Sequence, residues 1–258
     1  MKTIAVANQK GGVGKTTTSV NLAACLAAMG KAVLLVDLDP QGNATMSSGV
    51  DKNAVEYSTY DLLVDRTPLN TVVVQGGENG FDVVPSNRDV TAAEIELLSV
   101  EGRESRLKSA LATAFQYEFV IIDCPPSLSM LTVNALVAAD SVLITMQCEY
   151  FALEGLSALL DTIKRITETV NPELQIEGIL RTMYDPRNSL TGEVSAQLHK
   201  HFDNQVFRTV IPRNIRLAEA PSHGLAALHY DRYSAGARAY SALAGEFVKR
   251  QQASRSKP

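Results

Sequence analysis

A strand-like apolar run, TIAVAN (3–8), leads directly into the glycine-rich string KGGVGKTTT (10–18) and on into a helical segment from about Lys15 to Met29. No other feature constrains the chain as much. Gly11, Gly12 and Gly14 let the backbone approach a ligand closely, at the positive end of the helix that follows. A turn of this kind between strand and helix cradles phosphate oxygens. Lys15 is placed to reach the β- and γ-phosphates of a nucleotide, and the Thr16 hydroxyl to coordinate Mg²⁺. The pattern G-x-x-x-x-G-K-[ST] is met with a shift. Gln9 stands where its first glycine belongs, and Lys10 adds a second lysine five residues before Lys15. A second cation beside the phosphates neutralises charge that develops in phosphoryl transfer.

The rest of the chain supports the same architecture. VLLVD (33–37), FVIID (119–123), SVLIT (141–145), IEGIL (176–180) and VFRTVI (206–211) are short apolar runs of strand length. TVVV (71–74) and FDVVP (81–85), joined by QGGENG, predict a hairpin or short edge pair. Gly30 supplies the left-handed residue that ends the first helix. Helical segments separate most of the strands, so the expected fold is α/β: a single-domain P-loop NTPase over residues 1–251, with a mainly parallel twisted sheet covered by helices on both faces. Residues 252–258 read as a disordered tail.

Composition narrows the function. Among 258 residues there is no Trp and few aromatics, which argues against a stacking platform for single-stranded nucleic acid. Cys25, Cys124 and Cys148 form no metal or CxxC spacing and read as reduced, packed thiols. His199 and His201 lie on different faces of a predicted helix, and they read, with His223 and His229, as surface or packing residues. The apolar stretch 130–146 holds Asn134 and Asp140 and is too short to span a membrane. Charge is uneven. Residues 1–180 hold 12 Lys+Arg against 22 Asp+Glu, whereas residues 181–258 hold 12 against 6. A basic third on an acidic body suits a surface that faces a polyanion.

Two carboxylate-bearing segments, DLDPQGN (37–43) and VIIDCPPS (120–127), sit at strand ends, where ligands bind in open α/β sheets. With them, KGGVGKTTT resembles the deviant P-loop of the ParA/MinD family of ATPases. The resemblance covers nearly the whole chain. TVIPRNIRLAEAPSHG (209–224) and MYDPRNSL (183–190) are similar to the chromosomal ParA (Soj) branch. It implies an ATP site formed by Lys10, Gly11, Gly12, Val13, Gly14, Lys15, Thr16 and Thr17, with the backbone around Pro212 bordering the adenine and Thr182 standing where several relatives carry an asparagine. It assigns catalysis to Lys10, Lys15 and Asp39. Lys10 reaches the nucleotide of a partner subunit, and Asp39 positions the attacking water. Thr16 and, through water, Asp123 hold Mg²⁺, with Asp37 a further candidate near the metal. Pro125 and Pro126 shape a loop that senses the γ-phosphate.

The same resemblance implies a slow ATPase, stimulated by its partner, that forms a homodimer with ATP. The dimer binds double-stranded DNA non-specifically and acts with a ParB-like protein to partition chromosome or plasmid. The expected location is cytoplasmic and nucleoid-associated, without membrane attachment, because GEFVKRQQASRSKP offers only Phe247 and Val248 as bulky apolar residues. A ParA-like positioning ATPase for another cargo is the alternative. Arg187, Arg213 and Arg216 are the expected DNA contacts, with Lys249 and Arg250 next. The bland alternative pairs these arginines with the acidic body or lines the nucleotide pocket with them.

Overall fold

Seven strands form one sheet in the order β3-β2-β4-β1-β5-β6-β7, and every neighbouring pair runs parallel. The structure is a computed structural model and describes residues 1–255. The strands are β1 (Lys2–Ala7), β2 (Val33–Asp37), β3 (Asp82–Val84), β4 (Phe119–Asp123), β5 (Ser141–Gln147), β6 (Gln175–Tyr184) and β7 (Val206–Pro212). The central strands are buried on both sides, which is why they read as unbroken apolar runs.

Alternation along β1 divides the core. Ile4 and Val6 pack with the helices Lys15–Ala28 and Ala235–Arg255 on one face, together with Leu22, Leu26, Tyr240 and Phe247. Ala5 and Ala7 face the other way, toward the helices Val90–Glu96, Arg106–Leu111, Met130–Ala138 and Ala152–Thr169. The side-chain period of two thus assigns neighbouring residues to two apolar layers. Gly30, at φ 79°, closes the first helix in the left-handed conformation expected of it.

One expected strand is absent. TVVV (71–74) enters a helical turn at Leu69–Val72, after Pro68, and buries Leu69 and Val72 in the core. Only Val74 pairs with Val83, in a single antiparallel bridge. Burial of Val72 overrides the strand preference of four consecutive β-branched residues. The last helix runs through Arg255 and so includes residues 252–255; residues 256–258 of the expected tail lie outside the described residues. Among the described residues no helix is long and apolar enough to cross a membrane.

This topology positions the site. β1 and β4 lie side by side, so the loop after β1 opens beside the carboxyl end of β4. Asp123 closes β4 in register with Val6 of β1 and with Asp37 of β2. Three loops therefore converge at one edge, the position where open α/β sheets hold ligands.

Candidate functional site

The glycine loop begins the helix Lys15–Ala28 without a side-chain cap. Gly14, at φ 82°, stands at the N-cap, and Gly12 takes φ 73°. Both are left-handed conformations that a β-carbon penalises. A side chain at Gly11 or Gly12 would meet nothing within 4 Å, so the loop's outer surface is open. With no cap present, the first-turn N–H groups keep their donor capacity for a ligand. Val13 faces inward, and its carbonyl accepts from the Thr182 hydroxyl of β6 at 2.8 Å. Thr182 ties the loop to the sheet.

The two lysines of this loop point to different places. Lys15 is 7% exposed, and its Nζ donates to the carbonyl of Lys10 at 3.1 Å. Burial lowers its pKa, while the charges of Asp123, Cys124 and Asp39 oppose that shift. The Lys10 side chain is about half exposed. Its Nζ meets the Glu149 carboxylate, beyond the end of β5, at 2.5 Å. One cation thus faces the phosphate cradle from inside, and the other leaves the loop on the outside.

Asp123 is fully buried. Its Oδ2 accepts from the Thr16 hydroxyl and its Oδ1 from the Ser19 hydroxyl, each at 2.7 Å. Burial pushes its pKa above the ordinary carboxylate range, and the Ser19 and Thr16 hydrogen bonds restrain that rise. The Thr16 hydroxyl and this carboxylate form a set of hard oxygen donors that suits Mg²⁺. The buried negative charge beside them is a further reason for a cation to bind here.

Asp37 is also fully buried and raised in pKa, first by burial and then by the Asp123 charge. Its carboxylate accepts three hydrogen bonds from the segment after β2. The amide and hydroxyl of Thr45 donate to Oδ2 at 2.8 and 2.7 Å, and the Asp39 amide donates to Oδ1 at 3.1 Å. Asp37 therefore fixes the loop that carries Asp39. Half-buried Asp39 accepts from the Gln41 amide at 3.0 Å and lines the cavity above the glycine loop.

That cavity has a volume of about 540 Å³. Gly11, Gly12, Gly14, Lys15, Thr16 and Thr17 form one wall, with Asp39 and Pro126 beside them. The rest of the lining comes from Thr182, which adjoins Gly14, and from Met183, Pro212, Arg213 and Asn214. The Asn214 Oδ1 is buried there without a hydrogen-bond partner. An Asn side chain offers an acceptor and a donor to an adenine edge.

Four residues of this constellation escape sequence reading. Ser19 lies one helical turn after Lys15, so the TTTSV run carried a signal. Thr45, Glu149 and Asn214 had none, because each acquires its role through a contact distant in sequence or through burial.

The basic third is partly neutralised. Arg187 is 87% exposed yet bonds both oxygens of Asp185, at 2.9 and 2.8 Å, which holds that carboxyl down at about 2. Arg216 pairs with Glu219 at 2.7 Å and with Asp231 at 3.3 Å. Arg213 is exposed, makes no ion pair among the described residues, and lines the cavity next to Pro212. Arg250 lies over the Phe207 ring at 4.0 Å and pairs with Glu246 at 2.8 Å, which makes it a structural tie.

Comparison with known proteins agrees with this geometry. Residues 1–176 match the family described as AAA domain. The chain is 53% identical over 246 residues to the sporulation initiation inhibitor protein Soj of Bacillus subtilis, covering 95% of this chain and 97% of that protein. It is 46% identical over 255 residues to the chromosome partitioning protein ParA of Caulobacter vibrioides, covering 98% and 96%. A crystal structure described as cobyrinic acid a,c-diamide synthase from Mycobacterium smegmatis, with bound ATP analogue and magnesium, superimposes with a TM-score of 0.87. It is 37% identical and covers 100% of this chain and 98% of that one.

The Asp37 arrangement gives a first prediction. The buried Thr45 hydroxyl donates to Asp37 and accepts from the Ser86 amide at 2.8 Å. Thr45→Val keeps the volume and removes both bonds. It should destabilise the protein by about 3 kcal/mol in urea unfolding, because a buried carboxylate and a buried N–H each lose a partner. A change under about 0.5 kcal/mol would show that Asp37 does not depend on Thr45.

Proposed function

The chain belongs to the ParA/MinD family of P-loop ATPases, and on that footing we propose that it is an ATP-dependent dimerising switch. The ATP-bound dimer binds double-stranded DNA without sequence preference, associates with the nucleoid, and partitions a chromosome or plasmid together with a ParB-like protein. The observation that carries this reading is the division of labour between two lysines of one loop. Lys15 is buried against the cradle, whereas Lys10 is half exposed on Glu149. An exposed ion pair of that kind contributes about 0.5 kcal/mol, so Lys10 is readily released to a second copy of the chain.

The chain is an ATPase that uses ATP and Mg²⁺. The glycine loop and Lys15 hold the phosphates, with Gly11, Gly12, Val13, Gly14, Thr16 and Thr17 supplying backbone and hydroxyl groups. Thr16 and, through water, Asp123 hold the metal, which neutralises phosphate charge when bound. Asp37 acts one step removed, through the loop it anchors. Asp39 orients the attacking water, and Lys10 of the opposite subunit completes the charge stabilisation, in the manner of a residue supplied in trans. Turnover is slow until the ParB-like partner completes the site. At the base end, the Pro212 backbone and the Asn214 amide border the adenine.

Three substitutions separate the nucleotide roles. Lys15→Ala should lower ATP affinity at least tenfold, since it removes the cation facing the phosphates. Lys10→Ala should bind ATP normally and lose turnover, and Asp39→Ala should bind ATP and hydrolyse at least a hundredfold more slowly. Equilibrium binding of a fluorescent ATP analogue and phosphate release measure these quantities. Normal turnover in Lys10→Ala would remove the cross-subunit role.

Asn214→Ala should raise KM for ATP about tenfold and narrow the preference for ATP over GTP, because a lost base-edge hydrogen bond is worth about 1–3 kcal/mol. Steady-state kinetics with both nucleotides tests this, and an unchanged ATP/GTP ratio contradicts it.

DNA binding should require ATP and fall steeply with salt, since dimerisation doubles the phosphates neutralised. Arg213, exposed and without an ion pair, should contribute more than Arg187 or Arg216, which are held by carboxylates. In filter binding at moderate salt, Arg213→Glu should weaken DNA retention about tenfold. Wild-type retention in Arg187→Glu, Arg213→Glu and Arg216→Glu alike would place the DNA surface elsewhere.

A further inference from the structure

A second cavity, of about 650 Å³, lies apart from the nucleotide site and shares none of its lining residues. It opens on the sheet face away from the helix Lys15–Ala28. Its walls come from the turn Asp61–Asp65 with the residues that follow it, and from the helix Arg106–Leu111. Two guanidinium groups, Arg66 and Arg106, line it. Nε and Nη1 of Arg106 are buried and have no hydrogen-bond partner. Neither arginine makes an ion pair among the described residues.

That arrangement is costly as it stands. Buried N–H groups need acceptors, and Nε and Nη1 of the half-buried Arg106 have none among the described residues. Burial lowers the Arg106 pKa, and the neighbouring Arg66 charge lowers it further. Arg66 itself adopts φ 58°, a left-handed conformation that a non-glycine residue seldom takes. Glu101 lies on the same cavity, is exposed, and pairs with neither arginine. The hydroxyls of Thr67 and Ser109 also line the space. Leu62, Pro68 and Leu69 give it an apolar side.

We propose that this cavity is a binding site for a small organic phosphate, with the phosphate held between Arg66 and Arg106 and the carbon body against Leu62, Pro68 and Leu69. Two guanidinium groups suit a dianionic phosphate, because each donates charge-assisted hydrogen bonds to its oxygens. The apolar wall selects a ligand with a body over the bare anion. Its distance in the fold from the glycine loop makes the site independent of the ATPase chemistry.

The test uses the full chain with saturating Mg·ADP, so that the nucleotide site is filled. 4-Fluorophenyl phosphate is titrated and followed by fluorine NMR line broadening. The expected result is saturable binding by the wild type, at least tenfold weaker binding by Arg106→Met, and several-fold weaker binding by Arg66→Met. Inorganic phosphate should bind more weakly than the aryl phosphate, and 4-fluorobenzyl alcohol should not bind. Without ligand, Arg106→Met should melt at or above the wild-type temperature, because it removes two buried nitrogens that have no acceptor. Absence of binding, equal binding by Arg106→Met, or equal binding of the alcohol would overturn the site. A markedly lower melting temperature for Arg106→Met would make Arg106 a packing residue and overturn it as well. Equal affinity for inorganic phosphate would overturn the organic body.

Discussion

The buried Asp123 carboxylate joins the two halves of this site. It ends a central strand, yet it is bonded by two hydroxyls of the helix that begins at the glycine loop, Thr16 and Ser19. That contact fixes the height and rotation of the helix start relative to the sheet, and with them the position of Lys15. Removing a carboxylate from water is unfavourable unless hydrogen bonds and a counter-charge replace the solvent. Here two hydroxyls and the Lys15 ammonium do so in part, and a bound cation would complete the set. That incomplete compensation suits the position to a cation. Asp37 repeats the device one strand over, with Thr45 and the Asp39 amide in place of the helix.

Much of this was legible from the residues. Continuous apolar runs marked the strands because both sheet faces are covered. The glycines of the loop could be read because Gly12 and Gly14 need conformations that other residues resist. The TVVV segment misled because its β-branched residues signal strand preference, whereas the burial that overrides it depends on the assembled core. Asp37, which the resemblance makes a further candidate near the metal, ends β2 as Asp123 ends β4. Its three donors from the segment 39–45 become visible only in the fold. Asn214 and the Arg66–Arg106 pair left no trace in the sequence, since an unpartnered polar atom is defined by what surrounds it.

Charge tells a similar story. The excess of basic residues after 180 already counts that third's carboxylates, of which Asp185, Glu219, Asp231 and Glu246 are placed on Arg187, Arg216 and Arg250. Net charge does not say which arginines are paired, and a paired arginine offers less to a phosphate than a free one. Arg213 keeps its charge exposed at the rim of the nucleotide cavity. That location links the proposed DNA surface to nucleotide occupancy.

The central claim is that one loop serves two active sites, its own through Lys15 and its neighbour's through Lys10. Multi-angle light scattering tests it most directly, with the mass of wild-type protein and of Lys10→Ala measured in ATP, in ADP and without nucleotide, all with Mg²⁺. The account predicts that the wild-type mass doubles in ATP alone and that Lys10→Ala stays at monomer mass in every condition while still binding ATP. A wild-type chain that remains monomeric in ATP, or a Lys10→Ala chain that dimerises as the wild type does, would contradict it.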